Sequence, residues 1–187
     1  SASVKVSPRA HYKVTVASIE EALRLGADAV SVHVNLGVDD DHGMLESLGK
    51  VAADCDRYDL PLLAMMYPRG HGVSEFGEAE VALAARVGQE LGADLVKVNY
   101  TGSTESFRRA LNGLAVPVVI AGGERDGTAL ELFRVVRSAL DAGACGVAVG
   151  RAVFQSATPA AMVRGLHRLV HLDGGIDEAL RDAGVAA

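Results

Sequence analysis

Tryptophan is absent from the 187 residues, and aromatic side chains make up only 4% of them. Positive charge is also scarce, because 18 Lys and Arg stand against 24 Asp and Glu and leave a formal net charge of −6. No basic stripe runs along the chain, which argues against nucleic-acid binding. The chain is 49% hydrophobic, enough to bury one sizeable core. Length and composition therefore predict a single domain covering residues 1–187.

Cysteines and long apolar runs are scarce too. Cys55 and Cys145 lie far apart and form no Cys-x-x-Cys pair, which predicts reduced core thiols and neither a disulfide nor a zinc framework. The histidines show no metal-ligand spacing, so no metal site is predicted. No apolar run reaches the ~18 residues of a membrane span, and no signal-peptide core is present. We expect a cytoplasmic protein without membrane association. Because the chain starts without Met, we also expect it to be part of a longer polypeptide.

Five short apolar runs are typical of buried strands, and helical patterns separate them. The runs are Asp28–Asn35, Pro61–Tyr67, Asp94–Tyr100, Val116–Gly123 and Cys145–Gly150. The helical patterns are Ser18–Gly26, Gly43–Tyr58, Glu78–Leu91, Thr104–Leu111, Gly127–Ala142, Thr158–Val170 and Ile176–Ala183. This regular alternation predicts repeated βαβ units and a parallel sheet.

The two faces of the predicted strands differ in polarity. In the first strand Val32 and Val34 point one way, while His33 and Asn35 point the other. A doubly wound sheet needs two apolar faces, whereas one apolar and one polar face favour an α/β fold of the (β/α)8 TIM-barrel type. That barrel has eight strands, so this chain would carry about five βα units, strands four to eight. The first three would be absent, disordered or on another chain, and the start of the chain offers at most one weak strand around Val14.

Barrel enzymes place their active sites at the carboxyl ends of the strands. Here the carboxyl end of each predicted strand carries polar residues or glycines, which is the position of catalytic and binding residues in such barrels. The ends are His33-Val-Asn35, Tyr67-Pro-Arg-Gly70, Lys97-Val-Asn-Tyr-Thr-Gly102, Ala121-Gly-Gly123 and Gly150-Arg151. The sequence therefore predicts an active site at this edge of the sheet.

Lys97 interrupts an otherwise buried strand and shares the interior face with Leu95 and Asn99. Burial of an unpaired charge is costly, so the lysine is paired, extends to the strand end, or is held neutral. A neutral interior lysine is a carbonyl nucleophile that forms Schiff bases. At its usual pKa of ~10.4 only about one lysine in 2,500 is neutral at pH 7. Burial, or a neighbouring cation such as Arg69, would raise that fraction.

Glycines and an arginine end the last two predicted strands. Gly122, Gly123 and Gly150 allow backbone N–H groups to approach an anion, and a following helix start would add positive potential. Arg151 contributes a planar, permanently charged guanidinium. Phosphate sites of barrel enzymes usually lie in these loops. The alternative is that the glycines only permit tight turns and that Arg151 is solvated.

Tyr67 and Arg69 follow the strand before the one that carries Lys97. A phenol at a strand end can transfer a proton, although a tyrosine before proline is also a common packing residue. Arg69 would orient the phenol, lower the pKa of the lysine or bind substrate, and a structural ion pair is equally consistent with the pattern.

These motifs are familiar as a set. Tyr67-Pro-Arg-Gly, Val96-Lys-Val-Asn-Tyr-Thr-Gly102, Ala121-Gly-Gly and Val149-Gly-Arg151 resemble the class I aldolases of the archaeal fructose-bisphosphate aldolase family. Val30-Ser-Val-His-Val-Asn-Leu-Gly37 and Ala64-Met-Met-Tyr-Pro-Arg-Gly70 resemble one branch of it, the 2-amino-3,7-dideoxy-D-threo-hept-6-ulosonate synthases.

The resemblance implies roles for the candidate residues. Lys97 would form the Schiff base and Tyr67 would donate and accept protons, without metal or cofactor. Arg69, His33 and Asn99 would contact substrate. The phosphate of a ketose phosphate would bind Gly122, Gly123, Gly150 and Arg151, and an aldehyde such as L-aspartate semialdehyde would accept the three-carbon unit. Family members form large homo-oligomers, which the resemblance suggests here.

The chain also departs from the family pattern. Met65 stands where fructose-bisphosphate aldolases usually have Trp, and Ser103 where the family often has Asp. Glu124-Arg125 replaces a common Pro-Lys, and the Asp-His-Gly motif of the family's first strand is absent. Three alternatives stay open: condensation of dihydroxyacetone phosphate with aspartate semialdehyde toward 3-amino-4-hydroxybenzoate, a fructose-bisphosphate aldolase, and a phosphate-binding barrel that is not an aldolase.

Overall fold

The fold is a five-stranded parallel sheet with helices packed on one of its faces. The computed structural model describes residues 2–4, 6–122 and 127–185. The strands are β1 (Val30–Leu36), β2 (Leu62–Pro68), β3 (Leu95–Val98), β4 (Val118–Ala121) and β5 (Gly146–Ala148). The helices are α1 (Ile19–Arg24), α2 (Asp41–Arg57), α3 (Glu78–Glu90), α4 (Thr104–Leu111), α5 (Ala129–Ala142), α6 (Arg151–Phe154), α7 (Pro159–His171) and α8 (Ile176–Asp182).

Strand order follows chain order, β1-β2-β3-β4-β5, and every pair is parallel. A doubly wound sheet reverses its strand order at a switch point, and no reversal occurs among these strands. Consecutive order is what one arc of a (β/α) barrel has. In the part of the chain that the structure describes, β1 pairs only with β2 and β5 only with β4, so both outer edges carry unpaired backbone groups.

The alternation of side chains separates a buried face from a cleft face. Val32, Val34 and Met66 are buried beneath the helices, and Phe107 of α4 and Phe133 of α5 are completely buried in the same core. The opposite face, with Lys97 among its residues, borders a cleft. The polarity difference predicted from the strands is therefore present.

The helices begin and end at residues whose side chains or conformations suit helix caps. The Ser18 side chain accepts a hydrogen bond from the Glu21 backbone N–H and begins α1. Gly143 ends α5 with φ +114°, a left-handed conformation that only glycine adopts without strain. Thr128 and Glu131 form a complete capping box at the start of α5. These local signals place the βα and αβ turns, and the turns set where each strand ends.

The structure differs from the sequence expectations at three points. Val14 forms an isolated antiparallel bridge with Ala2 and adds no strand to the sheet. Cys55 is a buried free thiol as expected, but Cys145, at the uncovered edge beside β5, is exposed. The short helix α6 was not predicted and begins at Arg151, directly after the last strand.

Candidate active site

A cleft of about 730 Å³ opens at the carboxyl ends of the strands. It is lined by every candidate residue that the structure describes: His33, Tyr67, Arg69, Lys97, Asn99, Gly122, Gly150 and Arg151. Gly123, the remaining candidate, lies outside the described residues, as do Glu124 and Arg125. The lining also includes His11, Glu75 and Phe76, which the sequence did not single out.

The register of the sheet explains why these residues meet. His33 lies opposite Met65, Met65 opposite Lys97, and Lys97 opposite Val119, so one row crosses four strands. One step further up, Asn35 lies opposite Tyr67. Neighbouring strands are about 4.8 Å apart, so Tyr67 is one strand and one interior step away from Lys97. Parallel pairing therefore brings the phenol to the same cleft as the ammonium group.

The Lys97 ammonium is half-buried, and burial lowers its pKa below 10.5. Among the described residues it has no hydrogen-bond or ion-pair partner. Arg69 does not contribute to the lowered pKa of Lys97, contrary to one of the roles considered for it. Desolvation alone therefore raises the neutral, nucleophilic fraction of this lysine.

Tyr67 is buried with only 7% of its surface exposed. Burial raises the pKa of its phenol to about 12, against the opposing effect of the Arg69 cation. The His33 ring meets the phenol ring edge-on at 4.9 Å between centroids, and the Arg69 guanidinium carbon lies 5.1 Å from its centroid. The phenol is therefore held in place and protonated at neutral pH, so it is a proton donor in its resting state.

His33 is neutral and its tautomer is set by its neighbours. Asn35 donates its amide N–H to the His11 carbonyl, so its Oδ1 accepts from His33 Nε2 at 2.9 Å. Burial lowers the pKa of His33 to about 4, helped by the charges of Lys13, Arg69 and Lys97. Nε2 therefore carries the proton, and Nδ1 is the acceptor of the ring.

The loop after β2 positions a second pair of charges. The backbone N–H of Arg69 donates to the backbone carbonyl of Leu36 at 2.7 Å. The buried side-chain amide of Asn99 donates to the backbone carbonyl of Glu75 at 2.9 Å. Arg69 Nε then lies 3.5 Å from Glu75 Oε2. These backbone contacts tie the loop to the ends of β1 and β3, and so fix both side chains at the cleft.

Gly122 and Gly150 lie at the ends of β4 and β5, with Arg151 directly after. A Cβ on Gly122 would come within 2.6 Å of Val149 Cγ1, so close packing also requires this glycine. A Cβ on Gly150 would meet no atom within 4 Å, so its backbone faces open space. Because α6 has only four residues, backbone N–H groups and the Arg151 charge would dominate any attraction for an anion.

Comparison with known proteins identifies the family of this chain. Residues 1–156 match the DeoC/LacD family aldolase. The chain is 45% identical to the 2-amino-3,7-dideoxy-D-threo-hept-6-ulosonate synthase of Halobacterium salinarum, over 99% of this chain and 69% of that protein. The chain belongs to the DeoC/LacD aldolase family. The 2-amino-4,5-dihydroxy-6-oxo-7-(phosphonooxy)heptanoate synthase of Streptomyces griseus is 46% identical, over 100% of this chain and 69% of that protein.

Solved structures of aldolases have the same fold. An archaeal fructose 1,6-bisphosphate aldolase superposes with a TM-score of 0.80 and 40% identity, over 84% of this chain and 63% of that one. A second archaeal fructose-1,6-bisphosphate aldolase has its catalytic Lys covalently bound to the carbinolamine intermediate of its substrate. It superposes with a TM-score of 0.78 and 39% identity, over 82% of this chain and 62% of that one. The chain thus spans less than two thirds of these solved chains. The class I aldolase resemblance and the barrel fold, with about five βα units present, are confirmed.

The described residues contain neither a candidate metal cluster nor a helix that could span a membrane. Within residues 2–4, 6–122 and 127–185, no three His, Cys, Asp or Glu side chains are placed to hold a metal ion together. No helix in those same ranges is long and apolar enough to cross a bilayer.

Proposed function

We propose that this protein is a class I aldolase that forms a Schiff base between Lys97 and a ketose phosphate and transfers a three-carbon unit to an aldehyde. The observation that carries the proposal is a half-buried lysine without a partner among the described residues, facing a cleft beside a protonated phenol. Family membership supports the same chemistry.

Each candidate residue takes a role in this reaction. Lys97 is the nucleophile and Tyr67 the proton donor and acceptor. Gly122, Gly150 and Arg151 bind the phosphate together with Gly123. His33, Arg69 and Asn99 contact the substrate or hold the groups that do.

The reaction balances without an external cofactor or metal. The Lys97 amine adds to the ketone carbon to give a carbinolamine, and Tyr67 donates a proton to the departing hydroxyl, which leaves water, a protonated imine and a phenolate. Cleavage of the bond between the carbons α and β to the imine sends its electron pair to the imine and leaves an enamine. The β-hydroxyl gives its proton to the Tyr67 phenolate as the aldehyde is released. The enamine carbon then attacks the second aldehyde, whose oxygen takes a proton from Tyr67. Water hydrolyses the new imine and returns the Lys97 amine.

The names of the relatives indicate the product class. The Streptomyces protein is named for a seven-carbon acid with an amino group at position 2, a ketone at 6 and a phosphate at 7. The Halobacterium protein is named for a 3,7-dideoxy seven-carbon acid, which carries no oxygen at position 7. In both products the four carbons with the amino and carboxyl groups match L-aspartate semialdehyde, which we propose as the acceptor. The Streptomyces product corresponds to addition of the enamine of dihydroxyacetone phosphate to that acceptor, which is the alternative toward 3-amino-4-hydroxybenzoate. A fructose-bisphosphate aldolase is a further alternative, which Met65 and His33 disfavour.

The assembly proposed with this function is a barrel closed by further strands, within a cytoplasmic homo-oligomer. Unpaired edges of β1 and β5 support the first part, since open sheet edges are normally covered. Length supports it too, because the relatives named above extend beyond the matched region.

Borohydride trapping tests the proposed chemistry. The protein is incubated with dihydroxyacetone phosphate, reduced, and analysed by intact and peptide mass. We expect an adduct on the peptide that contains Lys97, absent from the Lys97→Ala variant. Lys13→Met is the matched control, because Lys13 is also partly buried with a lowered pKa but its ammonium donates to the Ala10 carbonyl. No adduct with this or other ketose phosphates would favour a phosphate-binding barrel instead.

A further inference from the structure

Arg69 and Glu75 form an open charge pair inside the cleft. Arg69 Nε is shielded from solvent yet makes no hydrogen bond within the described residues, and 3.5 Å separates it from Glu75 Oε2. Both side chains keep part of their surface exposed, 27% for Arg69 and 40% for Glu75. A buried donor without a partner costs free energy, which a ligand at this point would recover.

A second arginine–glutamate pair shows what a closed pair looks like in this fold. Arg109 of α4 meets Glu78 of α3 through two hydrogen bonds, 2.9 Å from Nε and 2.7 Å from Nη2. This two-point contact is the usual geometry of a guanidinium with a carboxylate. Arg69 and Glu75 lack that geometry: the Arg69 guanidinium lies against the Tyr67 ring, and the Glu75 backbone is bound by Asn99. The Arg69 Nε donor therefore remains available for a hydrogen bond to a ligand.

The position of this pair in the sheet matches one end of the proposed product. Arg69 follows β2, Lys97 lies on β3, and Gly150 with Arg151 follows β5. Lys97 therefore lies between the charge pair and the proposed phosphate site. In a seven-carbon product with phosphate beside the ketone, the opposite end carries the amino and carboxyl groups.

We infer that Arg69 and Glu75 bind the α-amino acid end of the acceptor aldehyde, the guanidinium taking its carboxylate and the Glu75 carboxylate taking its ammonium. This inference rests on the proposed function and deepens it, because it assigns the acceptor class to one pair of residues. Asn99 is a positioning residue for the pair, acting through the Glu75 backbone. An acceptor that lacks either charge leaves one member of the pair unsatisfied, and so binds more weakly.

The test is a binding titration that needs no turnover. L-homoserine, 4-hydroxybutyrate and 1-butanol are unreactive alcohols of equal chain length that carry both charges, the carboxylate only, and neither. Their dissociation constants are measured by NMR on the 15N-labelled protein. We expect L-homoserine to bind at least 10-fold more tightly than 4-hydroxybutyrate, and 4-hydroxybutyrate at least 10-fold more tightly than 1-butanol, as charge-assisted hydrogen bonds imply.

The variants remove one charge each. Glu75→Gln should abolish the advantage of L-homoserine over 4-hydroxybutyrate, and Arg69→Met the advantage of 4-hydroxybutyrate over 1-butanol. Glu78→Gln and Arg109→Met remove the same groups from the closed pair and should leave the ranking unchanged. Equal binding of the three alcohols by the unaltered protein, or a ranking that survives both cleft variants, overturns the inference.

Schiff-base trapping keeps the two proposals apart. The unaltered protein should give the borohydride adduct on Lys97, and so should Glu78→Gln and Arg109→Met, whose side chains do not line the cleft. If the three alcohols bind in the expected order but no adduct forms on Lys97, the proposed aldolase chemistry is refuted and the amino acid site is retained. If the adduct forms but the three alcohols bind equally, the amino acid site is refuted and the aldolase chemistry is retained.

Discussion

His33 should lower the unfolding free energy of this protein as the pH falls from 7 to 4, and His33→Gln should remove that effect. Its pKa is held at about 4 in the folded state, where burial and the charges of Lys13, Arg69 and Lys97 disfavour its protonated form. In the unfolded chain it returns to the ordinary value of 6.5. Between those values the unfolded chain binds the proton more tightly, so stability is lost as the pH falls.

The magnitude follows from the two pKa values. Each pH unit between them corresponds to about 1.4 kcal/mol, and solvent at the cleft screens part of the effect. We therefore expect His33 to cost about 2–3 kcal/mol of unfolding free energy at pH 4. At pH 7 the ring is neutral in the folded state and mostly neutral in the unfolded chain, so the cost falls to about 0.2 kcal/mol. Tyr67, packed against the ring, stays protonated throughout this range and adds no charge.

The assay is urea unfolding of the protein and of His33→Gln between pH 7 and pH 4. At pH 7 the variant should be less stable by about 1 kcal/mol, because it loses the hydrogen bond to Asn35. That deficit should shrink and reverse as the pH falls, since glutamine does not titrate. His42→Gln is the control, because the His42 side chain is 95% exposed. If the difference between the protein and His33→Gln is constant from pH 7 to pH 4, the account of a buried neutral histidine is refuted.

Two further predictions concern the phenol and the loop after β2. Ionisation of Tyr67 should change the ultraviolet absorbance with a midpoint near pH 12, and Tyr67→Phe should remove that change. The same variant should keep the borohydride adduct but lose turnover by about 10²–10⁴-fold. A midpoint near 10 would contradict the burial of the phenol. Gly70→Ala would place a Cβ 1.9 Å from the Gly37 carbonyl oxygen and should lower the unfolding free energy by about 2 kcal/mol. Gly49→Ala, in α2 with no atom within 4 Å of the new Cβ, should raise it by about 0.5–1 kcal/mol, and equal effects of the two would refute the steric argument.

Much of the fold was predictable because the signals that specify it are local. Alternation of side chains along the strands identified the polar faces that carry His33 and Lys97. The face of Tyr67 stayed open until the register of the sheet placed Met65, which shares its parity, beside Lys97. A glycine such as Gly143, directly after the helical pattern Gly127–Ala142, is a local signal for an αβ turn, and in the structure it has a left-handed conformation. Register then follows from consecutive parallel pairing, so residues far apart in sequence fell on adjacent rows.

Glu75 and His11 were missed because nothing local distinguishes them. Glu75 lies at the cleft, where Asn99 from the next βα unit binds its backbone carbonyl. His11 lies there because its carbonyl accepts from Asn35, at the end of β1. Both contacts join segments that are 24 residues apart. A loop residue with a long-range anchor looks in sequence like any exposed polar residue, and only the folded geometry assigns it to the site.

The cause of the lowered Lys97 pKa can be measured. The sequence offered two causes, burial and the nearby Arg69 cation, and the structure attributes the effect to burial. Met65 and Val119 lie opposite Lys97 on the two neighbouring strands, and we expect these apolar side chains to limit the access of water to it. Met65→Ala should therefore admit water and move the pH midpoint of imine trapping up toward the ordinary lysine value of 10.5. Arg69→Met should leave that midpoint unchanged, and an upward move as large as that of Met65→Ala would restore the cation as the cause.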